Sequence, residues 1–240
     1  SIIFRGDYLM KFLLVPILFF VFQTVFANPY AENFQFGYDY NDVKLDPNTQ
    51  FLKTNETPKI LYLDNSEDIY DYLSEGYIPI GSANFVSNAA SEQQVIQQAK
   101  KVKAKLVLVQ KQLLDQSLEL KNVSERSTNQ WFYNIESVFL VKDESYKQGS
   151  LGIIVGELPQ ELTKKYQRNT GVVVFLVYKN SPAYRANLLR NDVITKINSR
   201  DVWEDNFLTV LNDEKRKSNN VILSILRDGV DKKIPVTLGW

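Results

Sequence analysis

The chain contains 240 residues with 28 basic and 28 acidic side chains, one Met, no Cys and no His. The lack of imidazole and thiol excludes Ser-His-Asp and Cys-His nucleophiles, and also the usual nitrogen and sulfur ligands of zinc, copper, haem and iron-sulfur clusters. We therefore expect a protein that is not an enzyme and has no catalytic residues, cofactor or metal site. Because a net charge of zero provides no basic surface for phosphates, we expect no nucleic-acid partner.

Residues 1–27 have the pattern of an export signal. Lys11 is followed by an apolar run, and Val25 and Ala27 occupy the small-residue positions before a cleavage site. The run is shorter than the roughly 20 residues that a membrane span needs. We expect cleavage near Ala27 and a periplasmic or secreted mature protein that does not require membrane association. The alternative is that the segment is kept as a membrane anchor.

The next part of the chain changes from an irregular segment to an alternating pattern. Residues 28–57 have no sustained period and predict an extended leader with at most one short strand. Residues 58–143 predict a small α/β module, interrupted by a solvated loop at 114–130. Its strands are predicted at 60–63, 78–85, 106–110 and 132–141, and its helices at 66–75 and 91–104.

The last part of the chain, residues 149–239, predicts a second domain built mainly of strands. Ser181 and Pro182 have the pattern of a helix cap and first turn, and Asp205 or Asn206 is expected to cap a later helix. Five strands with two or three short helices indicate a partly open β-barrel, so the fold class is mixed α/β and α+β. The strands are predicted at 151–155, 171–177, 193–197, 221–227 and 232–238, and the helices at 159–166, from 182, and from 206 to about 215.

Several blocks of this second domain resemble the PDZ domain of HtrA/Deg-type proteases. They are SLGI at 150–153, NSPAYRANL at 180–188, NDVITKINSRDV at 191–202, and RDG followed by PVTLG at the end. The resemblance implies a PDZ fold that binds an extended peptide or chain terminus by strand addition. The trypsin-like domain of those proteases is not expected, since the preceding segment lacks the His of a catalytic triad.

The sequence departs from the PDZ pattern at family glycines. Asn stands at positions 187 and 191, and Ser199 follows Asn198 where glycine is usual. Asn is the residue other than glycine that best tolerates positive φ, so we expect these turns to persist.

The first domain also carries a weaker resemblance. The blocks GYIPIGSANF at 76–85 and QAKKVKAKLVLV at 98–109, and the strand before Lys142, resemble a module of uncharacterised exported bacterial proteins in which it is fused to PDZ. This resemblance implies a bacterial envelope protein and names no chemistry.

The PDZ resemblance also implies a peptide-binding groove. Backbone amides near Gly152 would hold a terminal carboxylate, the following strand would supply the ladder, and a helix would form the opposite wall. Apolar residues at helical spacing are equally consistent with ordinary core packing, so both interpretations remain open for the helix residues. The expected peptide-binding residues are Leu151, Gly152, Ile153, Ile154, Val155, Phe207, Leu208 and Leu211.

We thus predict an exported interaction protein whose PDZ domain binds an extended segment or C-terminus of an envelope protein. One alternative is a small hydrolase or metal-dependent enzyme that uses the α/β module, where Asp64, Asn65 and Ser66 end the first strand, with PDZ as a substrate tether. The other is a structural PDZ domain with an occluded groove.

Overall fold

The computed structural model describes residues 28–64, 69–114, 131–145 and 149–239. The expected export signal and most of the expected loop at 114–130 lie outside these residues, as do Asn65 and Ser66. The described chain has a mixed α/β fold with two six-stranded sheets, which confirms the fold class. The described residues form two compact units, one within 28–72 and 77–144 and the other within 73–76 and 145–239.

The first sheet has the order β1-β4-β6-β5-β3, with β2 paired to β6. Strands β3 and β5 are parallel and the other pairs are antiparallel. The strands are β1 (Phe34–Phe36), β2 (Thr49–Gln50), β3 (Lys59–Leu63), β4 (Tyr77–Ser87), β5 (Leu106–Leu113) and β6 (Tyr133–Asp143). The helices up to residue 145 are α1 (Pro29–Glu32), α2 (Tyr40–Leu45), α3 (Ile69–Ser74) and α4 (Glu92–Val102).

Helix α4 forms where the sequence predicts it, because its ends and its apolar face agree. Ser91 and Gln94 make a reciprocal capping box at the N-terminus, and Lys103 ends the helix in the left-handed region at φ 59°. Its buried face, which includes Val95 and Ala99, packs in a core with residues of β4, β5 and β6. Gln97, Lys100 and Lys101 remain exposed on the other side of the helix, whereas Gln98 is buried.

The segment 28–57 differs from the extended leader that the sequence predicts. It forms α1, β1, α2 and β2, and Tyr30 is fully buried in the first core. Phe34 contacts Phe139 edge-to-face, with ring centroids 5.1 Å apart. The prediction of secondary structure was wrong here because these elements are too short to show a period and are fixed by tertiary contacts of single aromatic residues.

Gly81 in β4 permits the close approach of β1. A Cβ atom at this position would lie 2.4 Å from a ring carbon of Phe34 and 2.5 Å from the carbonyl oxygen of Gln35. The β4–β6 register also shifts between Pro79 and Gly81. The second glycine of the GYIPIGSANF block therefore has a packing role, since any side chain would displace the neighbouring strand.

The second sheet has the order β12-β11-β9-β8-β7, with β10 paired to β9. All its pairs are antiparallel, and β7 and β12 are its two edges, so the strand path does not close within residues 149–239. The strands are β7 (Ile153–Glu157), β8 (Val172–Val177), β9 (Val193–Ile197), β10 (Arg200–Asp201), β11 (Asn220–Arg227) and β12 (Val230–Thr237). The helices are α5 (Gln160–Tyr166), α6 (Pro182–Arg185) and α7 (Phe207–Lys217).

Asparagine occupies left-handed turn positions in this unit, as the sequence predicts. Asn187, Asn191 and Asn198 have φ values of 58°, 69° and 54°. The side chain of Asn198 also accepts a hydrogen bond from the amide of Ile222 at 2.9 Å. These turns persist because Asn adopts positive φ at lower cost than other non-glycine residues.

A buried ion pair joins the start of β9 to the end of β11. The Nε and Nη2 groups of Arg227 each donate to the carboxylate of Asp192 at 2.7 Å. The side chain of Asp192 is 1% exposed. Asp192 also accepts from the amide of Leu189 at 2.8 Å. The hydrogen bonds that Arg227 donates to Asp192 raise the pKa of Arg227. This arrangement satisfies a buried carboxylate and fixes the turn that begins β9.

Replacement of Gly81 by Ala should destabilise the first unit by about 1–3 kcal/mol, because the added methyl group must displace Phe34 or the backbone of β1. Urea unfolding monitored by circular dichroism measures this difference. Asn84→Ala, at an exposed position of the same strand, is the matched control. Equal stability of the two variants would contradict the close-approach explanation.

Candidate functional site

Strand β7 pairs on one side only. Its partner β8 matches it from Ile153 opposite Val177 to Glu157 opposite Val172. As an edge strand, it presents its other side to no strand among the described residues. An edge strand carries unpaired N–H and C=O groups, which can pair with another chain.

The side chains of β7 divide between two faces of the sheet. Ile153 and Val155 pack against the core of the second unit, whereas Ile154 is not part of that packing. The register with β8 shifts between Ile154 and Val155. All three are half-buried, so the strand offers apolar surface beside its open edge.

The loop before β7 contains Leu151 and Gly152, whose backbone amides are expected to hold a terminal carboxylate. Gly152 is buried at φ 75°, and Leu151 is 2% exposed. Their carbonyl oxygens accept from the amides of Tyr178 and Ala183 at 3.0 Å. Within the part of the chain that the structure describes, their own amides donate to no backbone acceptor outside regular elements. Such amides can hold a carboxylate.

Helix α7 packs on the same core, but its apolar residues are not equally accessible. Phe207 and Leu211 are 2% and 4% exposed and belong to the core together with Leu151. Leu208 is half-buried and packs against the outside of this core. The structure therefore groups six of the eight expected residues around one cluster, and of the three helix residues it leaves Leu208 with substantial accessible surface.

Hydrogen bonds at both ends show that α7 runs antiparallel to β7. After the C-terminus of α7, the carbonyl of Asn219 accepts from Leu238 at 2.7 Å, and Gly239 donates to Ser150, just before β7, at 2.8 Å. At the other end, Gly171 donates to the carbonyl of Val202, which precedes α7, at 2.8 Å. Gly171 adjoins the start of β8, which pairs with the end of β7.

The N-terminus of α7 is built differently from the expected cap. Asn206 is the N-cap residue, but its side chain makes no capping bond to the helix. Its oxygen accepts from the amide of Trp203 at 2.8 Å, and its nitrogen donates to the carbonyl of Asp201 at 3.2 Å. The side chain thus stabilises the preceding turn.

A polar network holds one flank of α7. Glu214 is 6% exposed and accepts from Lys217 and Asn198, each at 2.6 Å. Arg200 of β10 pairs with Asp213 at 3.0 Å and lies 3.6 Å from Glu214. The hydrogen bond from Lys217, followed by that from Asn198, holds the pKa of Glu214 below its ordinary value. Sequence reasoning missed this network, although a glutamate on the buried stripe of a helix signals a specific partner.

Two features of the described residues bear on a metal-dependent or acid–base role for the first unit. No group of three or more Asp and Glu side chains that could hold a metal ion occurs in residues 28–64, 69–114, 131–145 and 149–239. Tyr30 is fully buried with an unpartnered hydroxyl, and burial raises its pKa to about 12. A phenol of that pKa stays protonated at neutral pH and is a poor general base.

The second unit is a PDZ domain: residues 149–238 match the family model for that domain. It is homologous to the PDZ regions of proteins named probable periplasmic serine endoprotease DegP-like. The protein of Rickettsia prowazekii is 30% identical over 99 residues, which cover 40% of this chain and 19% of that protein. The protein of Chlamydia trachomatis is 32% identical over 101 residues, covering 41% and 20%. The chain thus spans at most a fifth of the length of these two relatives.

Two solved structures are similar to part of the chain. The HtrA3 PDZ domain bound to a phage-derived ligand (FGRWV) is 24% identical, with a TM-score of 0.30, and the match covers 37% of this chain and 86% of that chain. The HtrA-type protease AlgW with decapeptide is 21% identical, with a TM-score of 0.32, covering 49% and 40%. In the described part of this chain, every helix is too short or too polar to cross a membrane.

The Glu214 network predicts a pH-dependent stability. A carboxyl group whose pKa is lowered by folding stabilises the protein above its ordinary pKa, about 4.3, and this contribution is lost as pH falls through the lowered value. Glu214→Gln should therefore be less stable than the parent at pH 7, and the difference should shrink below pH 4. Urea unfolding at both pH values measures it. The exposed Glu161→Gln is the control, and a difference independent of pH would contradict the assignment.

Proposed function

We propose that this protein is an exported, non-enzymatic interaction protein whose PDZ domain binds an extended peptide or chain end of another envelope protein by strand addition to β7. The carrying observation is the unpaired apolar edge of β7, whose Ile153 and Val155 pack against the same core as Leu208 of α7. A peptide there would pair its backbone with β7 and place side chains against Leu208. The site would also use the nest at Leu151 and Gly152.

The two edge strands of the second sheet, β7 and β12, differ in residues that prevent pairing with another strand, and this difference supports the proposal. The exposed positions of β12 include Lys232, Lys233 and Pro235, which are the residues that proteins use to prevent edge pairing. Strand β7 has no lysine or proline and contains three consecutive β-branched apolar residues, from Ile153 to Val155. An unprotected apolar edge favours aggregation, so its presence is best explained by a partner strand.

The size of the groove limits the affinity. Three or four ladder hydrogen bonds at about 1 kcal/mol each, with about 2 kcal/mol for one buried aliphatic side chain, give roughly 5–6 kcal/mol before ordering costs. A single peptide should therefore bind with a Kd on the order of 100 μM or weaker. A second contact or several binding sites would be needed for tight association.

The proposal includes export of the protein and a partner in the cell envelope. They are supported by the sequence of residues 1–27 and by the word periplasmic in the names of the relatives. The domain division is also a proposal: a PDZ domain at 149–239 and an α/β module at 58–143, to which the segment 28–57 adds α1, β1, α2 and β2. Among the described residues, no feature favours the metal-dependent enzyme over the binding function.

Leu208→Asp should abolish peptide binding, because it places a charge on the apolar flank of the groove. Binding can be measured with the purified protein by fluorescence polarisation, using an arrayed set of labelled heptapeptides that vary in their last three residues. We expect at least a tenfold loss for every peptide that the parent protein binds.

The matched control is Thr209→Asp, which puts the same charge on the neighbouring exposed position. It should retain binding, and circular dichroism should show that both variants are folded. Unchanged binding by Leu208→Asp would exclude the groove as the site. If the parent binds no peptide of the set, the binding function fails and a structural PDZ domain with an occluded groove becomes the better explanation.

A further inference from the structure

We propose that a group of lysines at one end of the first unit binds the phosphate headgroups of an anionic membrane surface. This surface includes neither β7 nor α7, so the inference does not rest on the proposed peptide binding. It follows from the backbone hydrogen bonds that place the lysines together, from the charges around them, and from their residue type. The lysine cluster consists of Lys53, Lys59, Lys100, Lys101, Lys103 and Lys105.

The first step is position. Strands β3 and β5 are parallel and begin at the same end of the first sheet. Lys105 lies between the end of α4 and the start of β5, and its carbonyl accepts from the amide of Lys59 at 2.9 Å. The amide of Leu52 donates to the carbonyl of Lys103 at 2.8 Å, which brings Lys53 to the same end. Three separate stretches of the chain thus contribute lysines to one place.

The second step is charge. Lys105 is half-buried, and the other five lysines of the cluster are exposed. Among the described residues, Glu56 is the one carboxylate that pairs with the cluster, with its Oε2 atom 3.9 Å from the Nζ atom of Lys105. The same oxygen accepts from the amide of Lys53 at 3.1 Å. The cluster therefore keeps a positive charge, although the chain as a whole has a net charge of zero.

Stabilisation of α4 explains only part of the cluster. Lys100 and Lys101 lie in the last turn of that helix, where cations offset the partial negative charge of the helix end. Lys53 and Lys59 lie outside α4, in the segment after β2 and in β3, so the helix does not account for them. Like charges gathered at one place repel each other, and an anionic partner relieves this repulsion.

The residue type favours a membrane surface over a nucleic acid. The cluster contains lysine and no arginine, whose planar fork binds a phosphate through two hydrogen bonds. The segment 98–105, which supplies four of the lysines, has no aromatic residue on which a base could stack. Lysine is a point charge on a flexible stem, so neighbouring lysines can reach a layer of mobile headgroups. The attraction to such a layer increases with each lysine near it.

The test measures binding of the purified protein to vesicles by co-sedimentation. The vesicles contain phosphatidylcholine alone or phosphatidylcholine mixed with phosphatidylglycerol. At about 50 mM salt, the parent should bind the anionic vesicles about tenfold or more better than the neutral vesicles, and about 500 mM salt should remove most of this preference. A cluster variant should lose about tenfold or more of its binding to the anionic vesicles. It carries Lys53→Gln, Lys59→Gln, Lys100→Gln and Lys101→Gln.

The matched control removes the same number of exposed lysines outside the cluster, with Lys111→Gln, Lys164→Gln, Lys165→Gln and Lys232→Gln. Its net charge equals that of the cluster variant, and it should bind the anionic vesicles like the parent. Circular dichroism should show that both variants are folded. An equal loss of binding in the two variants would overturn the proposal, since net charge alone would then explain the effect.

Two results with the parent protein would also overturn the proposal. One is equal binding to neutral and anionic vesicles. The other is binding of a labelled RNA duplex without a preference for anionic vesicles, which would assign the cluster to a nucleic acid. Leu208→Asp should bind vesicles like the parent, so failure of the membrane contact and failure of the peptide-binding function are observed separately.

Discussion

An antiparallel strand can form backbone hydrogen bonds on both sides, and β7 uses one of its sides for β8. The remaining N–H and C=O groups cannot be satisfied within the sheet, so they require water or another strand. The rest of the site follows from this constraint. Gly152 directly precedes this edge strand, and Leu208 of α7 packs against the same core as Ile153 and Val155. The proposed strand addition would complete a hydrogen-bond ladder that the fold leaves half formed.

The orientation of α7 connects the edge to the charge at its end. The hydrogen bonds of Leu238 to Asn219 and of Gly239 to Ser150 bring the end of the helix to the loop before β7. A ligand carboxylate and the negative end of the helix would then lie together, which is unfavourable without a cation. The basic residues of the last turn, from Lys215 to Lys217, offset this field.

The first unit shows how a recognisable sequence block can have a packing origin. Gly81 lies where the backbone of β1 approaches β4, and Tyr30 packs edge-to-face on Phe85 with ring centroids 4.9 Å apart. Both contacts involve the segment before residue 58, which has no periodic signal of its own. The GYIPIGSANF block is therefore explained by the packing of β1 against β4. The block does not by itself indicate a binding site.

The sequence by itself determined the elements that have a period or a cap: the strand at 193–197 has the observed bounds, Ser181 caps α6, and asparagines occupy positive-φ turns. These features are local, since spacing and backbone preference decide them. Tertiary structure decided the short elements of residues 28–57, the pairing of Glu214 with Asn198, and the burial of Phe207 and Leu211, which left Leu208 accessible. Each of these features depends on contacts between residues far apart in the chain. A local sequence pattern does not specify which apolar residues of a helix will be buried in the core and which will remain accessible.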